Sequence, residues 1–159
     1  MKLDKGLDYN EFLKGATLEE INMIKNQEKI SKLCDNKLDD IKNLNKKANI
    51  LVFSETRCGD AATAIPILLA LRELNKNINI QFFNTEKNTY ILEKNFGESR
   101  IPTIVKIDES GNILGEYIEF PKCIKDRLKN EGREAVVKDF RSGRYSNKIQ
   151  DELIDLILK

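Results

Sequence analysis

Two apolar runs joined by a helix-length segment constrain the fold of this chain more strongly than any other feature. Residues 49–54 (NILVFS) form a continuous apolar run, as expected of a strand buried on both faces, and residues 78–83 (INIQFF) form the next strand. Residues 59–75 between them have the apolar spacing of a helix. Strands joined in this way lie parallel, with a right-handed crossover. The sequence therefore predicts an α/β domain.

A hairpin is predicted after this unit. A short helix over residues 89–96 precedes two strands, at about 103–107 and 112–118. Gly111, in the connection DESGN, suits the left-handed position of a short hairpin loop. We expect the first hairpin strand to run antiparallel to residues 49–54, so the hairpin returns to the sheet end at which that strand finishes.

The first 48 residues have a helical pattern. Asp8 with Glu11, and Thr17 with Glu20, each fit a capping box, in which a cap side chain and an acidic residue three positions later bond to each other's backbone N–H groups. We expect this segment to be a helical arm packed on the sheet.

Helices are also predicted after the hairpin. Pro121 fits the first turn of one helix, and Ser146 fits the cap of a helix near the C-terminus. The chain thus divides into a helical N-terminal extension (1–48), an α/β domain (49–130) and a C-terminal helical extension packed on that domain (131–159).

The composition excludes several functional classes. Acidic and basic residues nearly cancel, with a formal net charge of +1, so there is no electrostatic reason to expect a nucleic-acid or membrane partner. The basic stretch 141–148 (RSGRYSNK) is interpreted as a solvated turn. No apolar run approaches the roughly 20 residues of a membrane helix. The N-terminal residues lack the apolar stretch of a secretion signal, so we expect a cytoplasmic protein.

The three cysteines, Cys34, Cys58 and Cys123, are odd in number and widely spaced, which does not fit a disulfide framework. There is no histidine, which excludes Cys-His and Ser-His nucleophile pairs and the common zinc sites. No Walker loop or GxGxxG motif is present, and we expect no metal and no cofactor. Cys34 is interpreted as a small apolar residue on the buried side of a helix.

Three local features occur in an informative order. Cys58 follows the first buried strand and begins a helix, Pro66 stands eight residues later, and Ile101-Pro102-Thr103 places a proline 44 residues after the cysteine. This order resembles the thioredoxin fold, and Cys-Gly-Asp-Ala in place of Cys-x-x-Cys is similar to a bacterial thioredoxin-like branch. The resemblance implies a central mixed sheet of about four strands flanked by helices, here with helical extensions at both ends. It also implies a cis Ile101–Pro102 bond.

The chain departs from the thioredoxin pattern in ways that change its chemistry. Ala61 stands where a dithiol enzyme has its resolving cysteine, and Arg57 stands where thioredoxins usually have tryptophan. Val52 and Phe83 occupy, or lie beside, the positions of the buried aspartate and its lysine. The internal proton acceptor and the local second thiol are both missing, so we expect little or no dithiol reductase activity.

Cys58 is the candidate nucleophile. The attacking species would be the thiolate, which the N–H groups and dipole of a helix N-terminus stabilise. Arg57 would assist, whereas the carboxylate of Asp60 would oppose a second negative charge. On balance we expect a lowered thiol pKa. The alternative is that Cys58 only fills the end of the strand and that Asp60 is an ordinary first-turn helix residue.

The substrate side of the site is expected at Ile101 and Pro102, where the backbone would pair with an extended peptide; the alternative is that Pro102 only forms a structural turn between a helix and a strand. Arg100 would face a substrate carboxylate or a glutathione-like anion, or else be a solvated loop residue. Cys123 is a candidate resolving residue, or else a packing residue at the start of a helix. The sequence thus predicts a monothiol thioredoxin-like protein that forms mixed disulfides with a protein or a low-molecular-weight thiol. A non-catalytic binding module and a cluster-binding protein of glutaredoxin type stay open as alternatives.

Overall fold

The computed structural model describes Leu3 and residues 5–159; Met1, Lys2 and Asp4, at the start of the predicted N-terminal extension, lie outside the described residues. A four-stranded sheet forms its centre, in the order β2-β1-β3-β4. The strands are β1 (Ala48–Ser54), β2 (Ile78–Asn84), β3 (Thr103–Ile107) and β4 (Ile113–Ile118). β1 and β2 are parallel, and the other two pairings are antiparallel. The predicted mixed sheet is therefore confirmed.

Helices flank the sheet and occupy both ends of the chain. They are α1 (Tyr9–Leu13), α2 (Leu18–Ile30), α3 (Leu38–Lys42), α4 (Gly59–Leu74), α5 (Thr89–Phe96), α6 (Lys122–Leu128), α7 (Arg133–Asp139) and α8 (Ser146–Leu158). A π-helical turn, Phe140–Arg144, joins α7 to α8. None of the helices within the described residues is long and apolar enough to cross a membrane.

Local signals in the sequence form as predicted. In both capping boxes the cap side chain accepts from the backbone three residues on, with Glu11 N 2.8 Å from Asp8 Oδ1 and Glu20 N 3.2 Å from Thr17 Oγ1. Gly111 has φ +82° in the hairpin loop, a conformation that glycine adopts without steric cost. Caps and tight turns depend on a few adjacent residues, which is why a single sequence reveals them.

Three local predictions are wrong. Cys34 is not helical: α2 ends at Ile30, and the Cys34 backbone lies in a loop where it both donates to and accepts from the buried amide of Gln150. Ser146 does not cap α8 but is its first residue, and its hydroxyl donates to Gly143 O at 2.8 Å. Pro121 occupies the N-cap position of α6, one residue before the helix begins.

One hydrophobic core joins the three predicted segments of the chain. Phe12 of α1, Val52 of β1, Leu68 of α4 and Ile157 of α8 are almost fully buried in the same cluster. Burying a side chain of this size contributes roughly 1.5–3 kcal/mol. A smaller cluster around Phe53 covers the opposite face of the sheet, under α5. The terminal helices are therefore structural parts of the α/β core.

The register brings three chain segments to one end of the sheet. Phe53 of β1 pairs with Thr103 of β3, and Thr103 pairs with Ile118 of β4. The loop after β1, the turn before β3 and the segment after β4 consequently emerge together. These segments carry most of the site residues that the sequence indicates.

Candidate functional site

Cys58 is the N-cap residue of α4, with an extended backbone at φ −81° and ψ 113°. Its sulfur accepts from the backbone N–H of Ala61 at 3.4 Å, in the place where the side-chain oxygen of an ordinary N-cap residue would accept. The sulfur also lies 3.7 Å from the carbonyl oxygen of Ile101, to which the thiol donates. The half-buried thiol is therefore held between a helix N-terminus and the turn before β3.

Burial sets the protonation of this thiol. It raises the pKa of Cys58, because the charged thiolate loses water; the Ala61 N–H opposes this rise, the Asp60 carboxylate adds to it and the Arg141 guanidinium opposes it. The expected lowering of the pKa is thus wrong. The helix N-terminus acts in the predicted direction, but desolvation outweighs it.

The N-terminal helices cause part of this burial. Tyr9, Phe12 and Ile24 line a cleft beside Cys58 whose cavity volume is only about 10 Å³. Such a space is at the lower limit for one water molecule. The helical arm therefore closes one side of the thiol.

Arg57, the predicted helper of the thiolate, makes a different interaction. Its guanidinium donates to Glu86 at 2.5 Å, and its side chain is 62% exposed. An ion pair this exposed contributes little to stability. Arg57 therefore forms a surface ion pair with Glu86.

Asp60 is ion-paired with an arginine that sequence reasoning missed. Arg141 Nε donates to Asp60 Oδ1 at 2.8 Å, and the Asp60 side chain is only 8% exposed. Arg141 belongs to the basic stretch 141–148; it is solvent-exposed, as a solvated turn implies, but its ion pair with Asp60 was not predicted. The two residues are 81 positions apart, so no local pattern could have linked them.

Ile101 faces the thiol from the turn before β3, and Pro102 follows it in the same turn. The peptide bond between them is cis, the isomer that the resemblance implies. Pro102 is buried, and its carbonyl accepts from Glu119 N at 2.8 Å. Among the described residues, the backbone N–H of Ile101 has no hydrogen-bond acceptor.

A family model described as thioredoxin matches residues 6–135, which is most of the chain. The chain belongs to this thioredoxin family. The match includes the turn carrying Cys58 and the turn carrying Pro102.

Solved structures show the same fold. A protein of unknown function from Pseudomonas aeruginosa is 19% identical, with a TM-score of 0.81 and 96% of this chain and 92% of that chain covered. An HIV epitope scaffold is 18% identical, with a TM-score of 0.78 and 96% and 93% covered. At these identities the likeness concerns the fold alone. No curated protein matches the chain.

Arg100 in this thioredoxin-family chain is bound to two carboxylates. It donates to Glu98, and its terminal nitrogen lies 3.2 Å from Glu119 Oε2. Arg133 donates to the other oxygen of Glu119, whose side chain is buried. A buried carboxylate needs such partners, because an unpaired one would be costly. Sequence reasoning missed Glu119; an acidic residue within the apolar stretch YIEF was its only signal.

Cys123 is the second residue of α6, and all three cysteines of the chain are free thiols. Cys58 and Cys123 pack against the same hydrophobic cluster. The strands that precede the two cysteines in the chain, β1 and β4, are separated by β3 and therefore lie about 10 Å apart. Burial raises the pKa of Cys123. The candidate resolving residue therefore lies at the correct end of the sheet, with no bond to Cys58.

The described residues contain no group of three or more side chains suited to hold a metal ion. What the site presents is a single half-buried thiol, a backbone amide without a partner and an arginine–aspartate pair. These groups can support sulfur exchange or the docking of an extended chain.

Proposed function

We propose that this protein is a cytoplasmic monothiol member of the thioredoxin family, in which Cys58 forms mixed disulfides with a protein or a low-molecular-weight thiol. The observation that carries the proposal is the position of the sulfur. It accepts from Ala61 N at the start of α4 and faces the carbonyl of Ile101 in the turn before β3. A substrate sulfur bound beside that turn would lie next to the nucleophile.

The reaction is an exchange of one disulfide for another. The Cys58 thiolate attacks a sulfur of R–S–S–R′, and a new bond joins Cys58 Sγ to the sulfur of R. The electron pair of the broken bond leaves with R′–S⁻, which takes a proton from water. No net oxidation occurs, and no cofactor is needed.

Resolution requires a second thiol from outside α4. Ala61 has no sulfur, and Cys123 is two strands away. An incoming thiolate, such as that of glutathione, attacks the mixed disulfide and regenerates Cys58. The free amide of Ile101 would hold an extended substrate during this exchange by pairing with its backbone.

The test uses an aromatic disulfide that releases a coloured thiolate when attacked. A Cys34→Ser/Cys123→Ser variant, in which Cys58 is the single thiol, is expected to release one equivalent and to be regenerated by added glutathione. Cys58→Ser is expected to lose the phase of coloured-thiolate release that the single-thiol variant retains. The proposal fails if the single-thiol variant, still folded, releases nothing, or if glutathione leaves the adduct in place.

A second candidate function is a non-catalytic binding module. It is favoured by the raised pKa of the Cys58 thiol, whose protonated form donates to Ile101 O. In that case extended peptides would bind beside Pro102 equally well in wild type and Cys58→Ser. Calorimetry with an extended peptide that contains serine in place of cysteine distinguishes the two functions. A binding module binds this peptide, whereas the redox function predicts covalent capture, which needs a sulfur on the protein and another on the peptide.

A further inference from the structure

Arg141 reaches the thiol site from the far end of the chain. It lies in the π-helical turn between α7 and α8, yet its Nε donates to Asp60 in the first turn of α4. Asp60 is nearly buried, while the Arg141 side chain is 44% exposed. The charge of the carboxylate beside Cys58 is therefore balanced by one residue from the C-terminal segment.

Gly59 provides the space for this arginine. A Cβ at position 59 would lie 2.6 Å from Arg141 Cζ, with both the terminal nitrogen and Nε within 2.9 Å. Carbon atoms do not approach this closely. The guanidinium thus lies against the backbone of the residue that separates Cys58 from Asp60, and any larger residue would displace it.

Gln27 fixes the arginine backbone from α2. Its side-chain amide donates to Arg141 O at 2.7 Å and to Thr63 Oγ1 at 2.9 Å. The Thr63 hydroxyl in turn donates to Gly59 O at 2.9 Å. Hydrogen bonds therefore connect the arginine to both α2 and α4, and its placement is built into the fold.

We propose that Arg141 is a positioning residue for the chemistry of Cys58, and that Gly59 is required because it admits the arginine. The proposal rests on the proposed function, in which the thiolate is the attacking species. With Arg141 in place, the guanidinium offsets part of the effect of the Asp60 carboxylate on the sulfur. Without it, a buried carboxylate two residues from the sulfur opposes the thiolate.

Other charged groups around the sulfur already have partners or carry no charge. Glu55 lines the cleft and accepts from Glu86 N at 3.0 Å. Tyr9 faces the same cleft and is uncharged near neutral pH, because burial raises its pKa to about 12. Arg57 is paired with Glu86. Arg141 is therefore the cation that opposes Asp60.

The experiment measures the alkylation rate of Cys58 by iodoacetamide as a function of pH, read by peptide mass spectrometry. In Arg141→Ala and in Gly59→Ala the apparent thiol pKa is expected to rise, with the rate at neutral pH falling on the order of tenfold. In Asp60→Asn it is expected to fall, since the arginine charge is left unopposed. In the double variant Asp60→Asn/Arg141→Ala the apparent thiol pKa is expected to return close to the wild-type value.

Arg144→Ala is the matched control, because Arg144 lies in the same turn and pairs with Asp139. It is expected to leave the pH profile unchanged. Gly59→Ala guards against misfolding, since it keeps every charged group and adds only a methyl group at a helix start. Its circular dichroism and thermal midpoint are measured alongside.

The inference is overturned if Gly59→Ala and Arg141→Ala, both folded, keep the wild-type profile. It is also overturned if the double variant retains the full shift of Arg141→Ala, because the effect would then not act through Asp60. Alkylation needs no biological disulfide. If Cys58 does not react with disulfides but the shifts in its alkylation pKa are observed, the proposed function is rejected and this inference is kept.

Discussion

At the scale of single residues, the behaviour of Cys58 follows from a balance of opposing effects. The Ala61 N–H stabilises the thiolate, burial destabilises it, and Arg141 counteracts Asp60. The net result is a pKa above that of an ordinary thiol. Reactivity near neutral pH then depends on the small thiolate fraction and on how closely a substrate is held.

The raised pKa predicts the direction of the pH dependence. The thiolate is the minor form below the pKa, so its fraction and the alkylation rate rise with each step in pH. We expect the rate at Cys58 to increase throughout the range from about pH 6 to about pH 9 without reaching a plateau. Peptide-resolved alkylation checks this, and a plateau on the acid side of neutrality would mean that the thiolate is stabilised after all.

Glu119 offers a second test at this scale. Its side chain is buried between two arginines, and its backbone has φ +61°. Glu119→Ala loses charge-assisted hydrogen bonds and is expected to reduce the free energy of unfolding by about 1–2 kcal/mol. Glu119→Gly loses the same bonds but accepts positive φ, so it should be more stable than the alanine variant by about 1 kcal/mol.

Urea denaturation of the two Glu119 variants gives the comparison. Equal stabilities would mean that the left-handed backbone at this position costs nothing. A wild-type-like alanine variant would mean that the two arginine contacts are not stabilising.

At the scale of elements, the first turn of α4 decides between one-thiol and two-thiol chemistry. The side chain of an N-cap residue points toward the third helical residue, and here Cys58 Sγ meets the N–H of Ala61. A thiol introduced at position 61 would therefore be close to the nucleophile. Ala61 also lines the narrow cleft under the N-terminal helices, so the added atom has little free space.

Ala61→Cys is predicted to form a disulfide between Cys58 and the introduced thiol on mild oxidation, and to stop the accumulation of glutathione adducts. Overpacking of the cleft is expected to destabilise the reduced form by about 1 kcal/mol. Non-reducing peptide mapping and thermal unfolding of the reduced variant measure both effects. A variant that still accumulates the glutathione adduct would contradict the close approach of the Cys58 sulfur to position 61.

At the scale of the whole molecule, residues from both terminal segments complete the core. Phe12 of α1 and Leu153 of α8 belong to the same cluster as Leu68 of α4. A pair of backbone hydrogen bonds between Leu7 and Phe82 further ties the N-terminal segment to the edge strand β2. The terminal segments should therefore not unfold independently of the sheet.

This shared core predicts one cooperative unfolding transition. Far-ultraviolet circular dichroism and the fluorescence of tyrosine should give coincident curves in urea. Two separated transitions would mean that a terminal segment is an independent unit.

Sequence reasoning reached those parts of the molecule whose signals are local. The parallel strand pair follows from two apolar runs and the helix between them, and the capping boxes of Asp8 and Thr17 need only four residues each. The Arg141–Asp60 pair and the loop at Cys34 depend on contacts across more than 80 positions. Periodicity carries no information about such contacts, so both the electrostatics of the site and its degree of burial had to come from the structure.

Cys58, of the three cysteines, is proposed to form the mixed disulfide, and peptide mapping after reaction with glutathione disulfide tests this. The native, reduced protein is incubated with glutathione disulfide, its thiols are blocked, and its peptides are analysed without reduction. We predict one glutathione on the Cys58 peptide, lost in Cys58→Ser and retained in Cys123→Ser. A Cys58–Cys123 cross-linked peptide, or a Cys58 that stays unmodified while Cys34 reacts, would contradict a monothiol role for Cys58.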